Sequence, residues 1–472
     1  MSRQVLESAR DRLRDRGVVL GEVRLVERRL EWIQVRNGKV ETCTQTLSRG
    51  LGIRALHGGW GFAASDNLSD AVALADRAVE LALSAAPMAY SEIDVGQHEP
   101  QTGHWASPVE QDPFDVPVDE KIGWLIEATE AMGSVDVAAA NTMCLKRTTH
   151  LLSTEGSDIT QEQVVSGVSI RATVVKDGLV QHRTWPKDGE GNLAGRGWEH
   201  VRTQDIVGMA PEVAEEARQL VLAPKVPAGL HDIILDGAQL SLQIHESCGH
   251  PVEGDRVLGE EMSLAGGSFL QPSQRGERYG SDLVHLYAES DSVGAAGSFG
   301  WDDEGSPSGR VDLVREGRFE GWLTGRESAR RLGAPHAAAM RAETWAAMPI
   351  VRMVNVNLAP GTAGSLDDLV ASTERGLLLS RNRAWSIDQL RLNFQFGCEA
   401  AYEIVDGEIR GLFRDPLYTG KTPSFWGSCD AICGPEAWQQ WGWAFCGKGD
   451  PPQIMHVSHG CAPARFRGVR LL

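Results

Sequence analysis

The sequence predicts an α+β protein of two domains, residues 1–224 and 225–472, with mixed and antiparallel sheets and packed helices. Three observations predict it. Alternating runs are joined by Asn37-Gly38, Asp177-Gly178, Glu316-Gly317 and Asp406-Gly407, dipeptides suited to tight hairpins. Stretches of helical periodicity stand between these sheet-like regions. Pro224 and Pro227-Ala228-Gly229 mark a linker near the middle of the chain. A length of 472 residues suffices for two sizeable cores.

In order, residues 3–16 read as a charged helix. Strands at 22–27, 29–36 and 39–47 turn about Asn37-Gly38. Residues 50–57 continue in strand character, and 60–63 return after Gly58-Gly59. Ser69-Asp70 is an N-cap for a helix with Val72, Ala75, Val79, Ala82 and Leu83 on one face. Residues 91–117, rich in Pro, Asp, Glu and Gln, read as a surface connection. A helix at 118–132 is followed by antiparallel sheet over 135–184, broken at Glu155-Gly156 and Asp177-Gly178. A helix at 203–222 closes the first domain.

The second domain opens with a strand at 231–235 and a helix bearing His245. A Gly- and Ser-rich stretch, 259–309, follows. Irregular segments of that length usually carry function, and its Asp302-Asp303-Glu304 could bind a hard cation or form solvated turns. Then come a hairpin at 310–323, strands at 350–358, a helix at 365–376 and a hairpin at 400–413.

Composition limits the function. The chain is 42% hydrophobic and 23% charged, as in a globular protein. Its net charge of -18 argues against a large nucleic-acid surface, because phosphate binding needs a basic field. No apolar run is long enough to span a bilayer. The opening residues lack the apolar core of a signal peptide. Eight scattered cysteines then predict reduced thiols in a cytoplasmic protein.

The chemistry centres on His245-Glu246-Ser247-Cys248-Gly249-His250. Two imidazoles can hold a zinc ion while the adjacent carboxylate handles the proton of a water. The spacing is His-Glu-x-x-x-His. On a regular helix, residues five apart point about 140° away from each other. Gly249 and Pro251 therefore predict a broken helix end, with His250 turned back toward His245. A helix terminus with a capping histidine is the plain structural reading of the same string.

A tetrahedral site needs a third protein ligand. Cys446, His456, His459, Cys461 and Glu253 are all chemically credible. Glu253 and Asp255 could instead bond the imidazole N–H groups, or simply be solvated. His459 could assist an oxyanion, bind a substrate carboxylate or have no chemical role. Cys429 and Cys433 could serve a redox or second metal role, but read first as small buried side chains on one helical face. Tryptophans crowd the C-terminal segment, including Trp426, Trp438, Trp441 and Trp443, and could line a groove or fill the core.

The whole chain resembles the TldD/PmbA family, peptidases once described as modulators of DNA gyrase. The resemblance lies in His245 through His250 with Glu253-Gly254-Asp255, in Asp302-Asp303-Glu304-Gly305 with Pro307-Ser308, and in residues 325–333. Arg341 with Glu343, residues 349–355, Cys446-Gly447-Lys448, Gly50-Leu51-Gly52-Ile53-Arg54 and Gly61-Phe62-Ala63 extend it collinearly. It implies zinc held by His245, His250 and Cys446, with Glu246 as catalytic base. It further implies a PmbA/TldE-like paralogue as partner, or a homo-oligomer, and unfolded or short peptides as substrates, leader peptides included. Gly449-Asp450-Pro451-Pro452-Gln453, His459 and Cys461 depart from the family pattern, which bears on substrate and partner preference.

The sequence therefore predicts a zinc-dependent peptidase in which Glu246 takes a proton from water and hands it to the leaving amine. Extended substrates would add to a sheet edge through main-chain hydrogen bonds. A non-catalytic regulatory or binding subunit is the alternative from another class, and a small-molecule amidohydrolase is a third.

Overall fold

Strand alternation organises the N-terminal half of this computed structural model, which describes residues 2–89, 91–262 and 266–472. Strands Leu20–Arg36, Lys39–Leu56, Trp60–Ser65, Val137–Ser153 and Asp158–Lys176 form an antiparallel series. Leu179–Trp185 pairs with Asp158–Lys176, and so does Thr102–Ala106, in parallel. Asn37 and Gly38 both take positive φ, 47° and 72°, as the hairpin requires.

Alternate residues face opposite sides. On one face, Val23 and Leu25 meet helices Ser2–Asp15 and Ala71–Ala85, while Ile33 and Val35 meet helices Val118–Ala131 and Ile206–Leu220. On the other, Leu30, Trp32, Met143 and Val165 pack against Ala296 and Ala444 of the C-terminal half. Glu22 and Arg24 share this second face, so the same alternation sends charge into the junction. There Arg24 and Arg147 meet Asp303 at 3.2 and 2.9 Å, and Arg54 bridges Glu22 and Glu304 at 2.7 and 2.8 Å. Gly52 lets the chain approach closely, since a Cβ there would lie 2.4 Å from the Trp345 carbonyl.

The C-terminal half is a closed barrel. Arg375–Ile387, Gly229–Leu235, Ala464–Leu471, Leu417–Lys421 and Asn393–Val405 pair in succession, and the last returns to the first. The pairing of Gly229–Leu235 with Arg375–Ile387 is parallel, which makes the sheet mixed. Helix Gly237–Ile244 leaves the first of these strands and is buried throughout. A second sheet centred on Leu286–Glu289 and a two-stranded ribbon, Gln439–Lys448 with Gln453–Cys461, enclose it.

Several expectations are corrected. In helix Ala71–Ala85 the buried side is Ala71, Ala75, Ala78, Val79 and Ala82, while Val72 and Leu83 are exposed, because the small residues fit closer to the sheet. The 91–117 connection contains the strand Thr102–Ala106, whose backbone pairs with a sheet edge despite its composition. The helix expected at 203–222 runs over Ile206–Leu220, capped by Asp205 at φ 42°, and a short helix, Trp198–Thr203, precedes it. The helix at 365–376 ends at Ala371, and the chain enters a barrel strand at Arg375. Cys429 and Cys433 are buried, but Cys429 opens a strand, Cys429–Ile432, instead of a helix. The 259–309 stretch is described except for residues 263–265. Asp302, Asp303 and Glu304 within it are buried rather than in solvated turns, Asp303 and Glu304 in ion pairs and Asp302 accepting main-chain N–H groups. Among the described residues no helix is long and apolar enough to cross a membrane.

Candidate metal centre

Asp236 caps helix Gly237–Ile244 by accepting the Gln239 N–H at 2.7 Å. The helix then widens over His245–Gly249 into a π turn, with the His250 N–H bonded to the His245 carbonyl. A bond spanning five residues brings residues five apart to one side of the helix. This corrects the expected break: Gly249 keeps helical φ, -72°, and is needed instead because a Cβ would meet Met353 Sδ at 2.4 Å. The rings of His245 and His250 stand 4.9 Å apart between centroids, at 89° to each other.

Cys446 arrives from the ribbon. Its Sγ lies 3.8 Å from His250 Nε2, and one donor atom from each of His245, His250 and Cys446 lies within 4.8 Å of the other two. A tetrahedral zinc with ordinary Zn–N and Zn–S bonds separates such atoms by about 3.6 Å.

The hydrogen bonds settle which ring nitrogens are free. His459 Nδ1 donates to the Val356 carbonyl at 2.8 Å, so its Nε2 is an acceptor. His245 Nδ1 therefore donates to His459 Nε2 at 2.8 Å, and His245 Nε2 keeps its lone pair. His250 Nδ1 donates to Glu253 at 3.0 Å, leaving its Nε2 free as well. Glu253 is itself fixed by Arg256 at 2.7 Å and by the Met353 N–H at 2.9 Å.

The electrostatics favour the same donors. Burial pushes His245 down to about 4 and lowers His250, so both rings are neutral at physiological pH. Burial raises the Cys446 thiol, but proton transfer to His250 Nε2 and the charge of Arg352 outweigh it and bring it down to about 7. Two neutral imidazoles and an easily formed thiolate fit a zinc ion.

Glu246 is buried, and its carboxylate pairs with Arg391. Arg391 takes φ 64° in the turn after strand Arg375–Ile387, and its carbonyl accepts the Thr422 hydroxyl at 2.8 Å. Sequence reasoning did not find Arg391, because no motif or spacing links it to residue 246.

The other candidates are elsewhere. His456 Nδ1 bonds the Ala444 carbonyl at 2.8 Å, and Cys461 Sγ donates to the Gly237 carbonyl at 3.3 Å. Glu253 and His459 each stand behind a histidine. Asp255 accepts Lys448 at 2.7 Å and reaches no imidazole. Trp426 is in the core, bonded to Ser247 at 2.9 Å, and the buried Trp443 ring lies 5.7 Å from that of His245. A second group, Asp302, Glu304 and His336, also has donor atoms within 4.8 Å of one another. Its oxygens are already taken, Glu304 by Arg54 and the Arg326 N–H, Asp302 by the N–H groups of Glu304, Ser306 and Met340.

Three family models match consecutive parts of the chain: PmbA/TldA metallopeptidase domain 1 over residues 21–86, the central domain over 111–223 and the C-terminal domain over 228–470. The chain is 28% identical to a metalloprotease of Methanothermobacter thermautotrophicus, covering 96% of this chain and 95% of that protein. It is 25% identical to a zinc metalloprotease TldD homolog of Saccharolobus solfataricus over 49% of each. The crystal structure of TldE from Thermococcus kodakarensis has the same fold, with a TM-score of 0.72, 16% identity, and coverage of 100% of this chain and 99% of that one. The chain belongs to the TldD/PmbA family of metallopeptidases.

Proposed function

We propose that this chain is a zinc-dependent peptidase acting on unfolded or short peptides, with His245, His250 and Cys446 as zinc ligands and Glu246 as general base. The observation that carries the reading is the convergence of those three donors, both imidazoles offering Nε2. A name such as zinc metalloprotease, borne by a relative, supports zinc over other metals. The proposed chemistry belongs to a domain spanning 225–472, with 1–224 as a separate domain.

Zinc in such a site supplies Lewis acidity and brings water's pKa toward neutrality. The protein supplies the rest. His459 and Glu253 hold the two rings in the required tautomer. Arg391 fixes the Glu246 carboxylate, which takes a proton from water and returns it to the leaving amine. Buried surroundings exclude competing water from this proton path. Extended peptides add to an exposed sheet edge, so folded proteins are poor substrates.

Pairing with a PmbA/TldE-like paralogue in a heterodimer, or with a second copy in a homo-oligomer, belongs to the same reading. Cytoplasmic residence is part of the same reading. A purely regulatory subunit has no need of three converging donors, which weighs against that alternative. The test is zinc analysis together with peptide cleavage. About one zinc per chain, lost in His245→Ala, and cleavage lost in Glu246→Gln with zinc retained, support the peptidase. A chain that binds no zinc, or cleaves unchanged after Glu246→Gln, overturns it.

A further inference from the structure

Beside the metal centre the two halves of the molecule enclose a concentration of positive charge that the peptidase reading leaves unused. Arg24, Arg28, Arg147, Arg341 and Arg352 lie within one another's fields. All but Arg28 are buried. Among the described residues only two carboxylates pair with them: Asp303, shared by Arg24 and Arg147, and Glu343, 3.6 Å from Arg28. Among the described residues Arg341 and Arg352 bond only main-chain carbonyls, those of Met353, His456, Gln453 and Cys446. Five cations against two paired carboxylates, with Glu22 and the Cys446 thiolate as the further negative neighbours, leave positive charge in excess, and an excess in a buried junction is costly unless another anion enters.

A cleft is present for one. Arg28, Arg147, Arg341, Met455 and His456 line a cavity of ≈ 30 Å³, together with Glu343, the carboxylate paired with Arg28. A water-sized group needs roughly 10–15 Å³ measured in this way, so the cavity takes about two, the size of a carboxylate's oxygens. Arg147 is 7% exposed, and its Nε has no hydrogen-bond acceptor among the described residues. The surroundings respond as an unneutralised cationic site should. Burial, then Arg352 and Arg147, push Arg341 down to about 9. Burial, then Arg28, push His456 down to about 3. Met455 is the register partner of Cys446, so the cleft opens one strand pairing from the metal centre.

We propose that this cleft is a subsite for a carboxylate of the peptide substrate, contacted by Arg28, Arg147 and Arg341. It rests on the peptidase reading and adds a substrate preference to it. The carboxylate is a chain terminus or an Asp or Glu side chain. Charge-assisted hydrogen bonds to guanidinium groups suit either, and the test separates them.

The probes are four acetylated tripeptides: tri-alanine as free acid and as amide, and the amides of Ala-Glu-Ala and Ala-Gln-Ala. Binding to the full-length, zinc-loaded Glu246→Gln chain is followed by calorimetry. At least one acid is expected to bind about 10-fold tighter than its neutral counterpart. The first pair reports a terminus and the second a side chain. Arg28→Gln should reduce the preference to under about 3-fold, and Arg28→Lys should restore part of it, with melting temperatures compared throughout. Equal binding of acids and amides overturns the proposal, as does no measurable binding or a preference intact in Arg28→Gln. Those results would mean that the arginines serve only to hold the carbonyls. Cleavage of a long unfolded peptide by the unmodified chain is measured separately. Cleavage without carboxylate preference sinks the subsite alone, and carboxylate binding without cleavage sinks the peptidase reading alone.

Discussion

His459 accepts the Nδ1 proton of His245 across 2.8 Å and thereby decides that Nε2 is the nitrogen of His245 that keeps a free lone pair. It can do so because its own Nδ1 proton is committed to the Val356 carbonyl. Two hydrogen bonds in series fix one tautomer, 214 residues from His245 along the chain.

Removing that acceptor should weaken zinc binding without touching a ligand. His459→Ala is expected to lose about 10- to 100-fold in zinc affinity. Competition with a chromophoric chelator measures this. Unchanged affinity would mean that His245 keeps its tautomer unaided.

Glu253 anchors more than His250. It lies between Arg256 and Lys448, at 2.7 and 3.5 Å, with all three side chains buried. Glu253→Gln removes the carboxylate charge that Arg256 bonds, while Lys448 keeps Asp255 at 2.7 Å, and should cost about 3–5 kcal/mol. Urea unfolding of the zinc-free wild type and variant gives the difference free of metal linkage, and a loss under about 1 kcal/mol would contradict the account.

The π turn and Met353 are packed against each other at Gly249. Gly249→Ala should destabilise by about 1–3 kcal/mol through overpacking. Gly249→Ala combined with Met353→Ala should cost less than the two single losses added together. Strict additivity in a double-mutant cycle would show that the glycine is there for another reason.

The junction should be acid-labile through Glu304. Burial by itself raises this carboxyl, but Arg54, His336 and the Arg326 N–H outweigh burial and hold it at about 2, against 4.5 unperturbed. The folded value is depressed, so the contribution is fully present above 4.5 and is lost as pH falls toward 2. Glu304→Gln should flatten the stability profile in that window. Wild-type and variant curves that stay parallel there would rule the carboxylate out as the source.

Zinc removal should lower thermal stability, and added zinc should restore it in proportion to the logarithm of its free concentration. Calorimetric scans at several zinc concentrations read this directly. Cys446→Ser should lose most of the dependence, and a melting temperature indifferent to zinc in the wild type would place the ion elsewhere.

Local chemistry made much of this protein legible in its sequence. Asn37-Gly38 turns where its dihedral preferences require, and so does Asp406-Gly407, since positive φ is a property of those residues and needs no distant partner. His245, Glu246 and His250 could be singled out together because they are neighbours in one string. The path between them could not. Gly249 and Pro251 suggested a broken helix, whereas packing against Met353 allows the helix to stay wound with one extra residue in its turn.

What the sequence by itself determined is the α+β class, the hairpins and the pair of histidines with their carboxylate, because each depends on periodicity or on adjacency along the chain. Only the tertiary structure decided that His459 and Glu253 stand behind the two rings, that Arg391 holds Glu246, and that Asp302, Asp303 and Glu304 are buried between the two halves. Hydrogen bonds and ion pairs form between groups that are close in space. The closeness of residues 246 and 391, or of 54 and 304, arises from how the barrel, the ribbon and the N-terminal sheet pack together.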